Sequence, residues 1–138
     1  MAAFTKYQDT VEQFWRGTHN LTAAGHVVKA AIHSDAPVVG SDDELADLTQ
    51  VTGSGYTAGG EDTQNDMTES AGTATWTAVD VVWTASASDW TAARYVSMHN
   101  DNSTTDKLLG SWDYGSNFTL LSGETFTLDF GASVATLT

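Results

Sequence analysis

The sequence predicts a mainly β protein, a two-layer antiparallel β-sandwich of jelly-roll-like character with one short N-terminal helix. The main observation lies near the C-terminus, where Phe126, Leu128 and Phe130 alternate with short polar residues. This period of two is typical of a strand that packs on a core with its other face in water. A second observation is that the helical spacing of apolar residues is clear only in the first 17 residues. Packing two antiparallel sheets together is the simplest way to bury such strands.

Length and charge restrict the possibilities further. The 138 residues predict a single domain, 1–138, divided into an N-terminal helix or arm (1–17) and a β-sandwich body (18–138). With 18 acidic and 5 basic residues the net charge is −13, which argues against nucleic acid and anionic membranes as partners. Solubility at high concentration, a basic partner and a salty medium all remain open as explanations of the acidity.

Targeting signals and covalent cross-links are not expected. The chain has no cysteine, so disulfides, thiolate zinc sites and cysteine nucleophiles are excluded. Its first residues lack the apolar run of a signal peptide, and no apolar segment approaches the 18 residues of a membrane span. We therefore expect synthesis in a cytoplasm.

The N-terminal helix is predicted from apolar residues at spacings of three and four. Thr5 and Gln8 match a capping box at its start, and Arg16 followed by Gly17 is a typical helix end. The resulting stripe could pack on the same subunit or dock on a neighbouring one, and both interpretations stay open. The stripe consists of Phe4, Tyr7, Val11, Phe14 and Trp15.

Residues 25–33 predict a strand that ends before Pro37, and four histidines accompany this region and a later strand. None of the four lies in a recognised metal-binding spacing, so no metal site and no cofactor are predicted. The acidic run 41–44 lacks the ligand order of a calcium loop and is interpreted as a solvated turn. The histidines are His19, His26, His33 and His99.

The middle of the chain is predicted to be loop. Residues 45–51 form a short strand or a single helical turn, and residues 52–60 are a glycine-rich loop anchored by Tyr56. Its glycines do not follow a buried strand, and no phosphate-binding lysine accompanies them, so nucleotide binding is not expected. Residues 61–70 are interpreted as a polar, exposed and mobile segment.

Strands return after residue 73, with a central strand at 92–100, a hairpin loop at 101–106 and a last strand at 132–138. The segment 108–130 is interpreted as strand, turn, strand, tight turn and strand, with the last reversal at Gly123. Alternation places Trp76, Trp83 and Trp112 in the core, whereas Trp90 lies in a loop where exposure is expected.

No catalytic motif accompanies this architecture. Asp129, Phe130 and Gly131 spell the magnesium motif of kinases, but the catalytic loop and the lysine of a kinase are missing. The chain also lacks a Gly-x-Ser-x-Gly elbow. The sequence therefore predicts a protein that is not an enzyme.

A resemblance extends over residues 11–130. The chain carries, in order, VEQFWRGTHNL, a strand ending in SDAP, LADLTQVTGSGYTAGG, VDVVWTAS, RYVSMHND, LLGSWDYGS and LSGETFTLDF. This series resembles a family of small structural proteins from the virions of tailed bacteriophages. Each motif by itself reflects the residues that turns require, so the resemblance rests on the order and spacing of the motifs together.

The resemblance implies a non-enzymatic virion protein, with capsid decoration (cementing of the outer shell) favoured among the possible roles. Its implied partners are the major capsid protein and copies of itself, as a trimer or dimer. Expected contact elements are the N-terminal helix, the loop 53–60 and the C-terminal strand. A tail or adhesion component that binds host glycans is the alternative, and a free carbohydrate-binding module is a further one. The expected partner-binding residues are Phe4, Tyr7, Val11, Phe14, Tyr56 and Trp90.

Overall fold

The fold is mainly β, as predicted, with several antiparallel sheets and one short helix in the described chain. A computed structural model describes residues 3–138. A single turn of 3-10 helix at Leu45–Asp47 separates the second and third strands. The elements are β1 (Thr5–Lys6), α1 (Asp9–Trp15), β2 (Val28–His33), β3 (Glu61–Asp62), β4 (Asp66–Ser70), β5 (Thr73–Thr77), β6 (Val81–Thr84), β7 (Ala93–Asn100), β8 (Leu108–Phe118), β9 (Thr125–Leu128) and β10 (Ala135–Leu137).

The main sheet has five strands in the order β1-β8-β7-β2-β3, so β7 is central as expected. A three-stranded sheet, β10-β5-β4, and a two-stranded sheet, β6-β9, pack against one face of it through a common core. Successive side chains of a strand point to opposite faces of the sheet, so every second residue faces this core. In β2 these residues are Val28, Ala30 and Ile32. The predicted burial of Trp76, Trp83 and Trp112 is confirmed.

The opposite face of the main sheet, which we call the second face, carries mostly polar side chains. Neighbouring strands place Lys29 opposite His99, and His33 opposite Tyr95. The N-terminal segment and residues 34–51 cover part of this face through a small cluster of Tyr7, Leu48 and Leu108. A register shift between β7 and β8 sends Leu108 to the second face and Leu109 to the main core.

The predicted N-terminal helix is shorter than expected. Residues 5–6 pair with β8 as an edge strand, and α1 begins only at Asp9. The predicted capping box is wrong, because Gln8 is the N-cap and forms no side-chain capping hydrogen bond within the described chain. The predicted end is correct: Gly17 adopts a positive φ of 77° directly after the C-cap, Arg16.

Two other predictions are corrected. The segment 61–70 was predicted to be polar, exposed and mobile, and residues 68–70 are exposed, but the segment contains the strands β3 and β4. It also buries Thr63, which donates to the Val28 carbonyl, and Asn65, which accepts from the Val28 backbone N–H. The residues 108–118 form one long strand, and the turn at Gly123 does not close a hairpin. Instead β8 pairs with β7 and β1 while β9 pairs with β6, so the chain crosses between layers there.

Among residues 3–138 no helix combines the length and the apolar character that a bilayer span requires.

Candidate functional site

The six residues predicted to bind a partner fall into two groups. Val11 and Phe14 lie on the outer surface of α1, where 47% and 41% of each residue is exposed. The other four belong to the interior or its margin. Tyr7 and Trp90 are buried, while Phe4 and Tyr56 are half-buried and pack against the main core.

The exposed surface of α1 carries three large apolar side chains, those of Val11, Phe14 and Trp15. Trp15, which neighbours Phe14, is 89% exposed. Such a ring gains nothing from folding, because its apolar area stays in water. We call Val11, Phe14 and Trp15 the helix patch. A contiguous apolar patch of this kind is typical of a surface that meets another molecule.

The helix patch is held firmly on the sheet despite the shortness of α1. The Thr10 hydroxyl donates to the carbonyls of Leu108 and Leu109 at 3.1 and 3.0 Å. The backbone N–H of Gln8 donates to the carbonyl of Val39 at 2.9 Å. A seven-residue helix is marginal by itself, so these contacts, rather than helix propensity, keep it in place.

An acidic cleft of about 330 Å³ lies beside α1. Lys107 partly neutralises its inner side, with Nζ 3.1 Å from both Asp43 and Glu44 and 3.9 Å from Asp9. The remaining carboxylates give this surface a negative potential suited to a basic partner. The cleft is lined by Gln8, Asp9, Glu12, Val39, Gly40, Ser41, Asp42 and Asp43.

Tyr56 and Trp90 hold the glycine-rich loop and are not exposed contacts. The Tyr56 hydroxyl donates to Gln50 Oε1 at 2.9 Å, and burial raises its pKa to about 12. The Trp90 indole donates to the Ser54 carbonyl at 3.1 Å, and its ring packs edge-on against Tyr56. The expectation that Trp90 is exposed is therefore wrong, because the loop 52–60 folds over it.

A buried polar network on the second face resembles a catalytic triad in its atom pairing. Ser97 Oγ lies 2.8 Å from His33 Nε2, and His33 Nδ1 lies 2.9 Å from the carbonyl oxygen of Asp35. The carbonyl can only accept, so Nδ1 carries the proton and Ser97 donates to Nε2. The Tyr7 hydroxyl completes the chain by donating to Ser97 at 2.8 Å.

This network has no access for a substrate. Tyr7, His33 and Ser97 are all fully buried, and the acidic cleft is lined by other residues. Burial also lowers the pKa of His33, which keeps the ring neutral near pH 7. The geometry therefore serves to join the N-terminal segment to β2 and β7.

Two further histidines share one partner at the end of β7. The Asn100 side-chain nitrogen donates to the Thr18 carbonyl at 2.9 Å and lies 3.1 Å from Nδ1 of His19 and 3.0 Å from Nδ1 of His26. Burial lowers the pKa of His19 to about 4. Phe14 packs edge-on against the His19 ring, so this cluster also supports the helix patch.

His99 differs from His33 because its Nδ1 faces carboxylates but has no hydrogen-bond partner among residues 3–138. Its side chain and those of Asp101 and Asp106 form the one group of potential metal ligands found among residues 3–138, with one ligand atom from each within 4.8 Å of the others. Motif spacing could not reveal this group, since its members are brought together by the turn between β7 and β8. The hairpin loop predicted at 101–106 was the only sequence signal for it.

Comparison of this chain with protein-family models, with curated proteins and with solved structures finds no match.

Proposed function

We propose that this chain is a non-enzymatic structural protein of a tailed-bacteriophage virion, and specifically a capsid decoration protein that cements neighbouring capsomers. The proposal rests on the resemblance of residues 11–130 to such proteins and on one structural observation. That observation is the helix patch, which displays a largely exposed tryptophan on a rigidly held element. Exposed aromatic side chains on rigid supports are typical anchors of protein interfaces.

The proposed partner is the major capsid protein, contacted by the helix patch and by the acidic cleft beside it. Trp15 and Phe14 would supply the apolar centre of the interface, and the carboxylates of the cleft would meet a basic surface at its rim. Copies of the chain would occupy symmetric sites as trimers or dimers. The net charge of −13 suits a protein that lies outside the shell and never binds the genome.

The test mixes the purified chain with shells that lack it and measures co-sedimentation and survival of the shells on heating. We expect saturable binding at a fixed ratio to the major capsid protein and a higher temperature of shell disruption. Trp15→Ser should weaken binding by about tenfold or more, as expected for an interface anchor. Val82→Ser is the matched control, since Val82 is 57% exposed on β6, away from the helix patch.

Absence of binding to shells would overturn the decoration proposal. Equal losses for the Trp15 and Val82 variants would overturn the assignment of the helix patch as the contact surface.

The alternative is a tail or adhesion component that binds host glycans. Sugar binding commonly uses exposed aromatic rings, and Phe14 and Trp15 are the exposed aromatic residues of the described chain. They lie side by side on one short helix and do not form a row along a strand, and Trp90 is buried. The decoration role is therefore preferred. A chain that binds polysaccharide but not shells would reverse that preference.

A further inference from the structure

The ring of His99 is buried in a defined tautomer. The side chain is fully buried, and Nε2 lies 2.8 Å from the carbonyl oxygen of Gly59. Because a carbonyl only accepts hydrogen bonds, Nε2 carries the proton and Nδ1 presents a lone pair. Within residues 3–138 this Nδ1 has no hydrogen-bond partner. A buried nitrogen of this kind costs free energy unless something binds to it.

The lone pair of His99 faces negative charge. Asp106 Oδ1 lies 3.9 Å from Nδ1, too far for a hydrogen bond, and Asp101 completes the group. Two acceptors that face each other repel, and a cation between them would remove that repulsion.

We propose that His99 Nδ1 and the carboxylates of Asp101 and Asp106 bind a divalent transition-metal ion such as Zn²⁺ or Mn²⁺. One imidazole nitrogen and two carboxylate oxygens are ligands that these ions accept, with water in the remaining positions. The Gly59 carbonyl acts as the outer partner that orients a metal-binding imidazole. The ion would join the loop 101–106 to the end of β7.

Lys29 would compete with a metal ion for the carboxylate of Asp101. Its Nζ lies 2.9 Å from Asp101 Oδ2, and the strand register places it directly opposite His99. Its positive charge therefore opposes binding of a cation. On the other side of Lys29 the register places Asp62 of β3, which offers the ammonium another carboxylate when the ion binds Asp101.

Calorimetric titration of the full chain, stripped of metal, with ZnCl₂ tests the proposal. We expect one saturable site per chain. Asp106→Asn should weaken binding by about tenfold or more, and Lys29→Gln should strengthen it by about threefold or more. Asn suits the test because Asp106 has a positive φ of 53°, which Asn also adopts. Asp129→Asn, an exposed aspartate beyond β9, is the matched control and should leave binding unchanged.

Nitrogen-15 NMR of the histidine rings provides a second readout without any variant. Before Zn²⁺ is added, His99 should show a protonated Nε2 and a bare Nδ1, and Zn²⁺ should shift that Nδ1 selectively. The proposal is overturned if no saturable binding occurs, if Asp106→Asn and Asp129→Asn bind alike, or if Zn²⁺ shifts His19 or His26 in place of His99.

Discussion

The Tyr7 hydroxyl lies 2.8 Å from the Ser97 hydroxyl, and this contact joins two residues that are 90 positions apart in the sequence. Ser97 belongs to the central strand of the main sheet, whereas Tyr7 comes just before α1. Both side chains are fully buried, and burial raises the pKa of Tyr7 to about 12. This contact thus joins the segment before the helix patch to the centre of the main sheet.

Tyr7→Phe should destabilise the protein by about 1 kcal/mol, the usual net contribution of one buried hydrogen bond. Ser97 keeps its bond to His33, which limits the loss. Urea unfolding followed by tryptophan fluorescence measures the change. Tyr114→Phe is the matched control, because the Tyr114 hydroxyl makes no side-chain hydrogen bond to a described residue and its ring is only half-buried. Equal effects of the two changes would contradict the proposed anchoring role.

Adjacent glycines in the loop 52–60 should respond differently to alanine. Gly60 has a φ of 76°, and a Cβ there would lie 1.8 Å from the carbonyl oxygen of Ala30. Gly59 has a φ of 94°, but a Cβ there would meet nothing within 4 Å. Gly59→Ala should therefore cost about 1–2 kcal/mol from backbone strain alone. Gly60→Ala should cost more, since strand β2 must also move.

Thermal unfolding of the two glycine variants measures this difference. A Gly60→Ala protein as stable as Gly59→Ala would show that the backbone of β2 yields more easily than the packing implies.

Stability should fall as the pH is lowered from 7 to 5, because three histidines have lowered pKa values in the fold. The unfolded chain takes up protons near pH 6.5, whereas folded His19 does so only near pH 4. Protons therefore favour the unfolded state throughout this window. For His19 alone the loss at pH 5 is about 2 kcal/mol, from 1.36 kcal/mol per pKa unit.

His19→Gln should remove that part of the pH dependence. Denaturant unfolding of both proteins at pH 8, 7, 6 and 5 measures it. The difference in unfolding free energy between the proteins should be constant from pH 8 to 7 and should shift by about 2 kcal/mol in favour of the variant at pH 5. Parallel curves across the whole range would contradict the buried, neutral state of His19.

Arg94 should control the ionisation of Asp113. Two hydrogen bonds of 2.7 and 2.9 Å link the guanidinium to the carboxylate, and together with the Gly115 amide they lower the pKa of Asp113 to about 2. Arg94→Gln should raise this pKa toward its ordinary value, but not fully, because the Gly115 amide still donates. Carbon-13 NMR titration of the carboxylate measures the change.

Arg94→Lys provides the matched comparison for Asp113, because it keeps the charge but loses the planar pair of donors. The pKa of Asp113 in Arg94→Lys should lie between its value with Arg94 in place and its value in Arg94→Gln. An unchanged titration in both variants would show that the Gly115 amide alone sets this pKa.

Features that depend on neighbouring residues could be predicted before the fold was known. Alternation identified β2, β7 and β9 and placed Trp76, Trp83 and Trp112 in the core, because strand period alone decides which face a side chain occupies. Gly17 and Gly123 were located correctly as positive-φ positions for the same local reason.

Features that depend on partners distant in the sequence could not be predicted in this way. Strand β8 and strand β9 pair in different sheets, and Trp90 is covered by a loop some 35 residues earlier, as its hydrogen bond to Ser54 records. Tyr7 looked like part of a helical stripe, but its pairing with Ser97 draws it into the interior. Local patterns cannot show such contacts, because burial of a loop or a terminal segment is set by what packs over it.

The same reason explains the candidate sites. Val11 and Phe14 of the helix patch were identified from their helical spacing, yet their exposure follows from how Thr10 fastens α1 to β8. The group formed by His99, Asp101 and Asp106 has no motif, because a turn and a register of hydrogen bonds bring its ligand atoms together. The spacing of residues determined which side chains share a face, and the packing of the folded chain decided which of them meet.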